Sequence, residues 1–523
     1  MSRQATAPAQ AAAPTTVDVR RGTRDSDAGT ALPRARFSTP SQEVQDRDGL
    51  VRVRVELSAP AAAELTIPAT VFGDTSRLRA TSIGRSVTAS LPAQRFVIPA
   101  GATQVDLVLS VAGRPDNDRA DSLVVQLHST PAIDANDQHI IHLTHRGLGD
   151  PLPDLTPDEL DAFNRGRLVF ERRFKPSEGL GPFYNASSCS SCHSSPVVGG
   201  TSALYRNFYL GVYQFGSTVF SQSTAIPPFL SQVVPAFGTG DQHSGATFSL
   251  EGARVDTPDT VFGFPVISAQ RNSIPLFGVG LFEFVSNATI FENNDPVDLD
   301  GDGISGQPNT QINGTAIGRF GTKAQVNNIE LFTRAPLQSQ MGITSEPFEG
   351  SNSVVSFRQA STDPNDPTTD NDGAPDPEIS RQDLGDLIAF TKFLAPPVKR
   401  PFSDRALRGE AFFETAGCAK CHVPSLASSR GPVDAYTDLL MHDMGEDLAD
   451  DIRLGDNPGS IKEFRTQPLW GISHAAPYLH DGRAATLEEA ITAHEGEGAA
   501  SRDAYLALPI DRRQAIIEFL EHL

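Results

Sequence analysis

Cys189-Ser190-Ser191-Cys192-His193 and Cys418-Ala419-Lys420-Cys421-His422 use all four cysteines of this 523-residue chain, and both are Cys-x-x-Cys-His pentapeptides. That spacing is the attachment signature for c-type haem. Each thiol adds to a vinyl group of the porphyrin, and the histidine after the second cysteine is held where its imidazole reaches the iron. A single Cys-x-x-Cys would also suit a zinc knuckle or a redox dithiol. Here both copies end in histidine, which a shared zinc site would leave as coincidence. The motifs therefore imply two covalently bound haem c groups with His193 and His422 as proximal ligands, and no cysteine is left for a disulfide. Around them, helices alternate with long Gly/Pro/Asn-rich loops, as expected of domains that wrap a cofactor and use it as core.

Upstream of Leu148 the pattern is different. Val51, Val53, Val55 and Leu57 alternate with polar residues, as do Val105, Leu107, Leu109 and Val111, then Leu123, Val125 and Leu127. Period two marks half-buried strands, and turns at Ala100-Gly101 and at Gly113 to Asp116 make an antiparallel β-sandwich of about a hundred residues. His139, His142 and His145 do not share a strand face, so they are read as solvated positions rather than a metal site. The expected organisation is a disordered Ala/Pro/Thr-rich segment (1–36), the sandwich (37–147), a first haem domain (148–395) and a second (396–523). Asp363 to Pro377 reads as an exposed acidic loop, and Leu384, Leu387, Ile388 and Leu394 as an amphipathic helix ended by Pro396-Pro397. Ala395 to Pro401 then links the haem domains. Asp511 is the expected cap of the last helix.

A net charge of −21 disfavours nucleic acid and anionic membrane surfaces and would steer in a basic redox partner. No apolar run is long enough to span a bilayer, and residues 1–13 lack the pattern of a secretory signal. Covalent haem attachment normally takes place outside the bacterial cytoplasm. A periplasmic or other extracytoplasmic location is therefore expected, with a leader removed or lying upstream of Met1.

The surroundings of the two motifs are more specific than the pentapeptides. "LTPDELDAFNRGRLVFERRF", "GLGPFYNASSCSSCHSSPVVGG", "IPLFGVGLFE", "DLDGDGISG", "GRFGTKA", "QMGITS", "LLMHDMGEDLAD", "FRTQPLWGI" and "YLHDGRAATLEEAITAHEGE" follow one another in that order. Over roughly Leu148 to Leu523 the chain resembles the di-haem oxidoreductase/peroxidase family, related to bacterial di-haem cytochrome c peroxidases. "VELSAP", "FVIPAGATQVDLVLSV" and "DSLVVQLHS" resemble a Calx-beta module, although its acidic run is reduced to Pro115-Asp116-Asn117-Asp118.

The resemblance implies two mainly α cytochrome-c-like domains with unequal haems. One is six-coordinate and passes electrons; the other has an open or displaceable position where peroxide reacts. A small redox protein would exchange electrons with the pair. In related peroxidases the distal ligand of the second haem follows the "HDG" motif, where His494 stands here, with Met444 and Met441 in reserve. Between His193 and His243 there is no histidine, so the first haem is expected to be open from the start. The family often places an acidic residue where this chain has Gln340, which cannot exchange a proton near neutral pH. Glu283 is the alternative carboxylate for acid/base work. Thr322 occupies a position where relatives commonly have tryptophan, and Trp470 is the chain's only one. Asp298, Asp300 and Asp302 alternate ahead of Gly303, as in a calcium loop, but Asn309 stands where a bidentate glutamate would close it.

Overall fold

Alternation in "GLVRVRVEL" buries Val51, Val53, Val55 and Leu57 inside the sandwich and leaves Leu50, Arg52, Arg54 and Glu56 on the other face. The computed structural model describes residues 32–523 except 46, 48, 74–77, 80–92, 113–120, 145, 182, 185, 203–207, 216–217, 221–246, 250–253, 256–259, 262–263, 311–315, 347–373, 376 and 451–460. The expected N-terminal tail, the shortened acidic run of the sandwich, most of the acidic loop before Pro377, His145 and His243 thus lie outside the described residues.

The sandwich runs β1 (Ala35–Phe37), β2 (Ser41–Gln45), β3 (Gly49–Leu57), β4 (Leu65–Gly73), β5 (Leu78–Arg79), β6 (Ala93–Ile98), β7 (Gln104–Val111), β8 (Asp121–Leu127) and β9 (Gln138–Thr144). One sheet has the order β1-β3-β7-β5 and the other β2-β9-β8-β4-β6, with a shared core that includes Val53, Val55, Ile67, Leu123, Val125 and Ile141. The expected antiparallel sandwich needs two corrections. The first strand starts at Ala35. The chain then changes sheets before β2, which pairs parallel to β9 with Ser41 opposite Ile140, because the first and last strands of the module meet without a local hairpin. His139 is also not solvated: it lies on the buried face, its Nδ1 2.7 Å from the Thr39 carbonyl oxygen, while His142 is on the opposite face near Ser122.

Among the described residues eight α-helices follow: α1 (Pro157–Glu171), α2 (Asn287–Phe291), α3 (Ile329–Met341), α4 (Arg381–Phe393), α5 (Asp404–Thr415), α6 (Leu487–Thr492), α7 (Ala499–Ala507) and α8 (Ile510–Leu520). α1 begins at a capping box between Thr156 and Glu159 with Pro157 at its first position. α4 is the amphipathic helix expected from Leu384, Leu387 and Ile388. α8 starts at Ile510 behind Pro509, so Asp511 lies in its first turn rather than at its cap.

A helix crossing is repeated. α1 and α4 meet at Gly166, where an added Cβ would lie 1.8 Å from the Asp386 carbonyl oxygen, and Arg165 forks onto the buried Asp386 carboxylate at 2.8 and 2.9 Å. α5 and α8 meet the same way at Gly409, 1.9 Å from the Ala515 carbonyl oxygen. Each crossing closes over one pentapeptide. The expectation of a mainly helical first haem domain is incomplete, because Phe208–Phe215 and Phe264–Arg271 pair antiparallel within a four-stranded sheet. Both runs are rich in aromatic and β-branched residues, which favour a pleated surface.

Candidate functional site

Each pentapeptide forms one 3-10 turn, Cys189–Ser191 and Cys418–Lys420, which brings its two cysteines onto one side ahead of the histidine. Burial pushes the Cys189 thiol up to about 12 and that of Cys418 up to about 11. The histidines are oriented alike: Nδ1 of His193 lies 3.0 Å from the Gly200 carbonyl oxygen, and Nδ1 of His422 lies 3.0 Å from that of Tyr436. Carbonyls accept only, so Nδ1 carries the proton and Nε2 keeps its lone pair for a metal. Burial lowers both imidazoles, His422 to about 4, against the pull of those carbonyls, so both are neutral at pH 7.

One cavity holds Cys418, Cys421, His422 and His494, walled largely by apolar residues such as Phe413, Leu469, Ile472, Ile491 and Leu520. His494, just beyond the C-terminus of α6, directs Nδ1 to the Ala490 carbonyl oxygen at 2.8 Å and is lowered by burial. It is a helix-terminal histidine bound to a backbone carbonyl, and it lines the same cavity as His422. Two thiols, two neutral imidazoles and apolar walls fit haem c. Met444 lines the cavity, whereas Met441 is buried in a strand paired with Glu463–Arg465.

The two acid/base candidates are not brought together. Glu283 accepts from the Ile329 amide at 3.0 Å and pairs with Lys392 at 2.7 Å, so it holds the start of α3 to α4. Gln340 lies at the other end of α3, about 16 Å along the helix from Ile329 at 1.5 Å per residue. Its backbone carbonyl and that of Met341 accept from Ala186 and Gly181, just ahead of the first pentapeptide. Glu283 thus ties α3 to α4, and the backbone of Gln340 is tied to the segment ahead of the first motif. Of the calcium candidates, the structure gathers Asp298 and Asp300 and sets Asp302 apart. Carboxylate oxygens of Asp295, Asp298 and Asp300 gather within 4.8 Å, but Asp302 pairs with Lys420 at 3.0 Å, and Asn309 is buried, donating to the Lys323 carbonyl oxygen.

Several residues around the second cavity went unremarked in the sequence. His442 donates to Asp438 at 2.9 Å and to Glu497 at 2.6 Å and lies 3.8 Å from the Cys421 sulfur. Burial alone would lower it, but its hydrogen bonds to Asp438, Cys421 and Glu497 outweigh that, and the imidazole is held as a cation. Arg465 lines the cavity and donates to the Gly321 carbonyl oxygen and Gln467. Phe464 lies between the Lys323 ammonium and a stacked His480, whose pKa burial and neighbouring cations push down to about 2. Their only signal was membership of "LLMHDMGEDLAD", "GRFGTKA", "FRTQPLWGI" and "YLHDGRA". Trp470 stacks on Phe282 with ring centroids 5.4 Å apart, joining the two helical units at the cavity wall; Thr322 also lines it.

The family described as "Di-haem oxidoreductase, putative peroxidase" matches residues 259–523. The chain belongs to this family. The matched span of the di-haem oxidoreductase contains Cys418–His422 and His494; Cys189–His193 precedes it. No curated protein gives a significant match. Among solved structures, a hydrazine synthase of Kuenenia stuttgartiensis is 15% identical, covering 73% of this chain and 98% of that one, with a TM-score of 0.35. The CBD1 domain of Calx is 13% identical over 21% of this chain and 97% of its own, with a TM-score of 0.16. CaCohA2 of Clostridium acetobutylicum is 14% identical over 22% of this chain and 94% of its own, with a TM-score of 0.18.

Proposed function

We propose that this di-haem oxidoreductase is an extracytoplasmic c-type enzyme of peroxidase type, built from two cytochrome-c-like units behind the β-sandwich. In this reading Cys189/Cys192 and Cys418/Cys421 carry the thioether links, His193 and His422 are the proximal ligands, and His494 is the distal ligand of the second haem. The observation that carries it is the shared tautomer of His193, His422 and His494, each with Nδ1 on a backbone carbonyl. The repeated glycine-centred helix crossing over each motif supports the two-unit architecture.

Haem held at these residues would supply one-electron redox chemistry and reactivity toward peroxide. The residues do the rest. Gly200 and Tyr436 carbonyls hold the proximal imidazoles in orientation, and Arg465 presents a buried cation suited to a propionate. Apolar walls exclude water. Gln340, beside the first motif, can orient a peroxide by hydrogen bonding but cannot move its proton. Trp470 stacked on Phe282 offers a π contact between the units. The acidic chain suits a basic redox protein as electron partner.

Electron paramagnetic resonance of the fully haem-loaded protein, with and without peroxide, tests the reading. The expected result is one low-spin and one reactive high-spin ferric signal, with His494→Ala converting the low-spin signal to high-spin. An unaltered low-spin signal in His494→Ala would remove that ligand, and two low-spin haems inert to peroxide would make the protein an electron carrier.

A further inference from the structure

The β-sandwich lies wholly ahead of the matched family region, yet it packs directly behind the second haem motif. Leu50 exchanges both backbone hydrogen bonds with Phe402, at 2.8 and 2.7 Å, and the Gln45 amide donates to the Lys399 carbonyl oxygen at 2.9 Å. The segment linking the two helical units is thereby stitched to the edges of the sandwich. Leu50 enters the same core as Phe402, Phe413, Tyr436 and Phe519. At Gly49 the approach is too close for a side chain, since an added Cβ would lie 2.5 Å from the Pro401 Cβ.

The outward-facing arginines of β3 meet α5. Arg52 ion-pairs with Glu410, and Arg54 reaches Glu414, one turn further on, at 3.2 Å. Asp106 of β7 lies beside both arginines. Glu410 is only 1% exposed, and it also accepts from the Tyr436 hydroxyl at 3.3 Å. Tyr436 is the residue whose backbone carbonyl holds Nδ1 of His422. Lys399 completes the cluster, its ammonium 5.1 Å from the centre of the Tyr436 ring and 3.4 Å from Asp434. A buried carboxylate is tolerable here because a cation from another domain compensates it; removing either partner leaves a charge in a poorly screening interior.

We propose that the sandwich is a positioning element for the second haem site: Arg52, acting through Glu410 and Tyr436, sets the charge and hydrogen bonding behind His422. The module is then a built-in regulator of that site's reduction potential rather than a spacer. The inference rests on haem being held at Cys418 and Cys421 with His422 as its ligand.

The test uses the full-length, haem-loaded protein as wild type, Arg52→Gln, Glu410→Gln, the double variant, and Arg34→Gln as a control. Arg34 pairs with Asp134 inside the sandwich. Haems are counted by pyridine haemochrome, and each potential is read by spectroelectrochemical titration. Arg52→Gln strips a compensating cation and should favour ferric iron at the second haem about tenfold, a fall of about 59 mV for one electron. Glu410→Gln should move it in the opposite direction, and the double variant should return toward wild type. The first haem should not move in any variant, nor either haem in Arg34→Gln. If both single variants shift the second haem the same way, or Glu410→Gln leaves it unmoved with two haems bound, the positioning role is overturned. A wild-type protein with no haem at Cys418/Cys421 would overturn the site assignment itself, which the haem count reports separately.

Discussion

Gly409→Ala is a one-carbon perturbation that strikes the scaffold of the second site without touching it. The new Cβ would lie 1.9 Å from the Ala515 carbonyl oxygen and 2.4 Å from its carbon. Both are backbone atoms in the middle of α8, so no rotamer change relieves the clash and the helices must part by about 1 Å. Overpacking of this kind costs about 1–3 kcal/mol, and backbone contact places it at the upper end. Alanine's helix preference over glycine returns about 1 kcal/mol. The expected net loss is therefore about 2 kcal/mol, with Phe413, Ile516, Phe519 and Leu520 as the side chains whose packing loosens. Gly385→Ala is the matched comparison: it lies inside α4, where an added Cβ meets nothing within 4 Å, and it should gain up to about 1 kcal/mol from propensity alone. Urea unfolding of both variants, followed by far-ultraviolet circular dichroism and Soret absorbance, gives the difference. Equal stability of Gly409→Ala and Gly385→Ala would refute the close helix crossing on which the two-unit architecture depends.

The cationic His442 makes a pH prediction. Its pKa is raised in the folded state by Asp438, Cys421 and Glu497 against burial, so its stabilising contribution is complete below about 6.5 and is lost as pH rises through the raised value. Urea midpoints of the wild type should fall on the alkaline side of neutrality, and His442→Gln should flatten that dependence; parallel curves would mean the imidazole is not held as a cation. Glu283→Gln should cost about 1 kcal/mol through the Lys392 pair and the α3 amide while leaving the reaction with peroxide unchanged. Lost peroxide reactivity with both haems bound would return Glu283 to acid/base duty.

How far the chain could be read differs from element to element. The alternation of β3, β7 and β8 announced the sandwich, because side chains point to opposite faces at a period of two whatever the partner strand. Parallel pairing of β2 with β9 was not legible, since register between strands almost a hundred residues apart leaves no local signal. The sheet containing Phe208–Phe215 and Phe264–Arg271 was missed for a related reason: its apolar runs look alike as strand or loop until their partner is known.

The two pentapeptides were plain because each confines two thiols and an imidazole to five consecutive residues, a constraint that lies wholly along the chain. Family stretches such as "YLHDGRAATLEEAITAHEGE" then singled out His494. What the chain order could not disclose is which groups meet across it. Glu283 and Gln340 looked equivalent as candidates until α3 set them at opposite ends of one helix. Asp302 looked like a calcium ligand until Lys420 arrived beside it. Arg52 read as one polar residue of an alternating strand, while its partner Glu410 stands 358 positions away. A buried charge is stable only next to its counter-charge, and that neighbour is supplied by folding, not by spacing in the sequence.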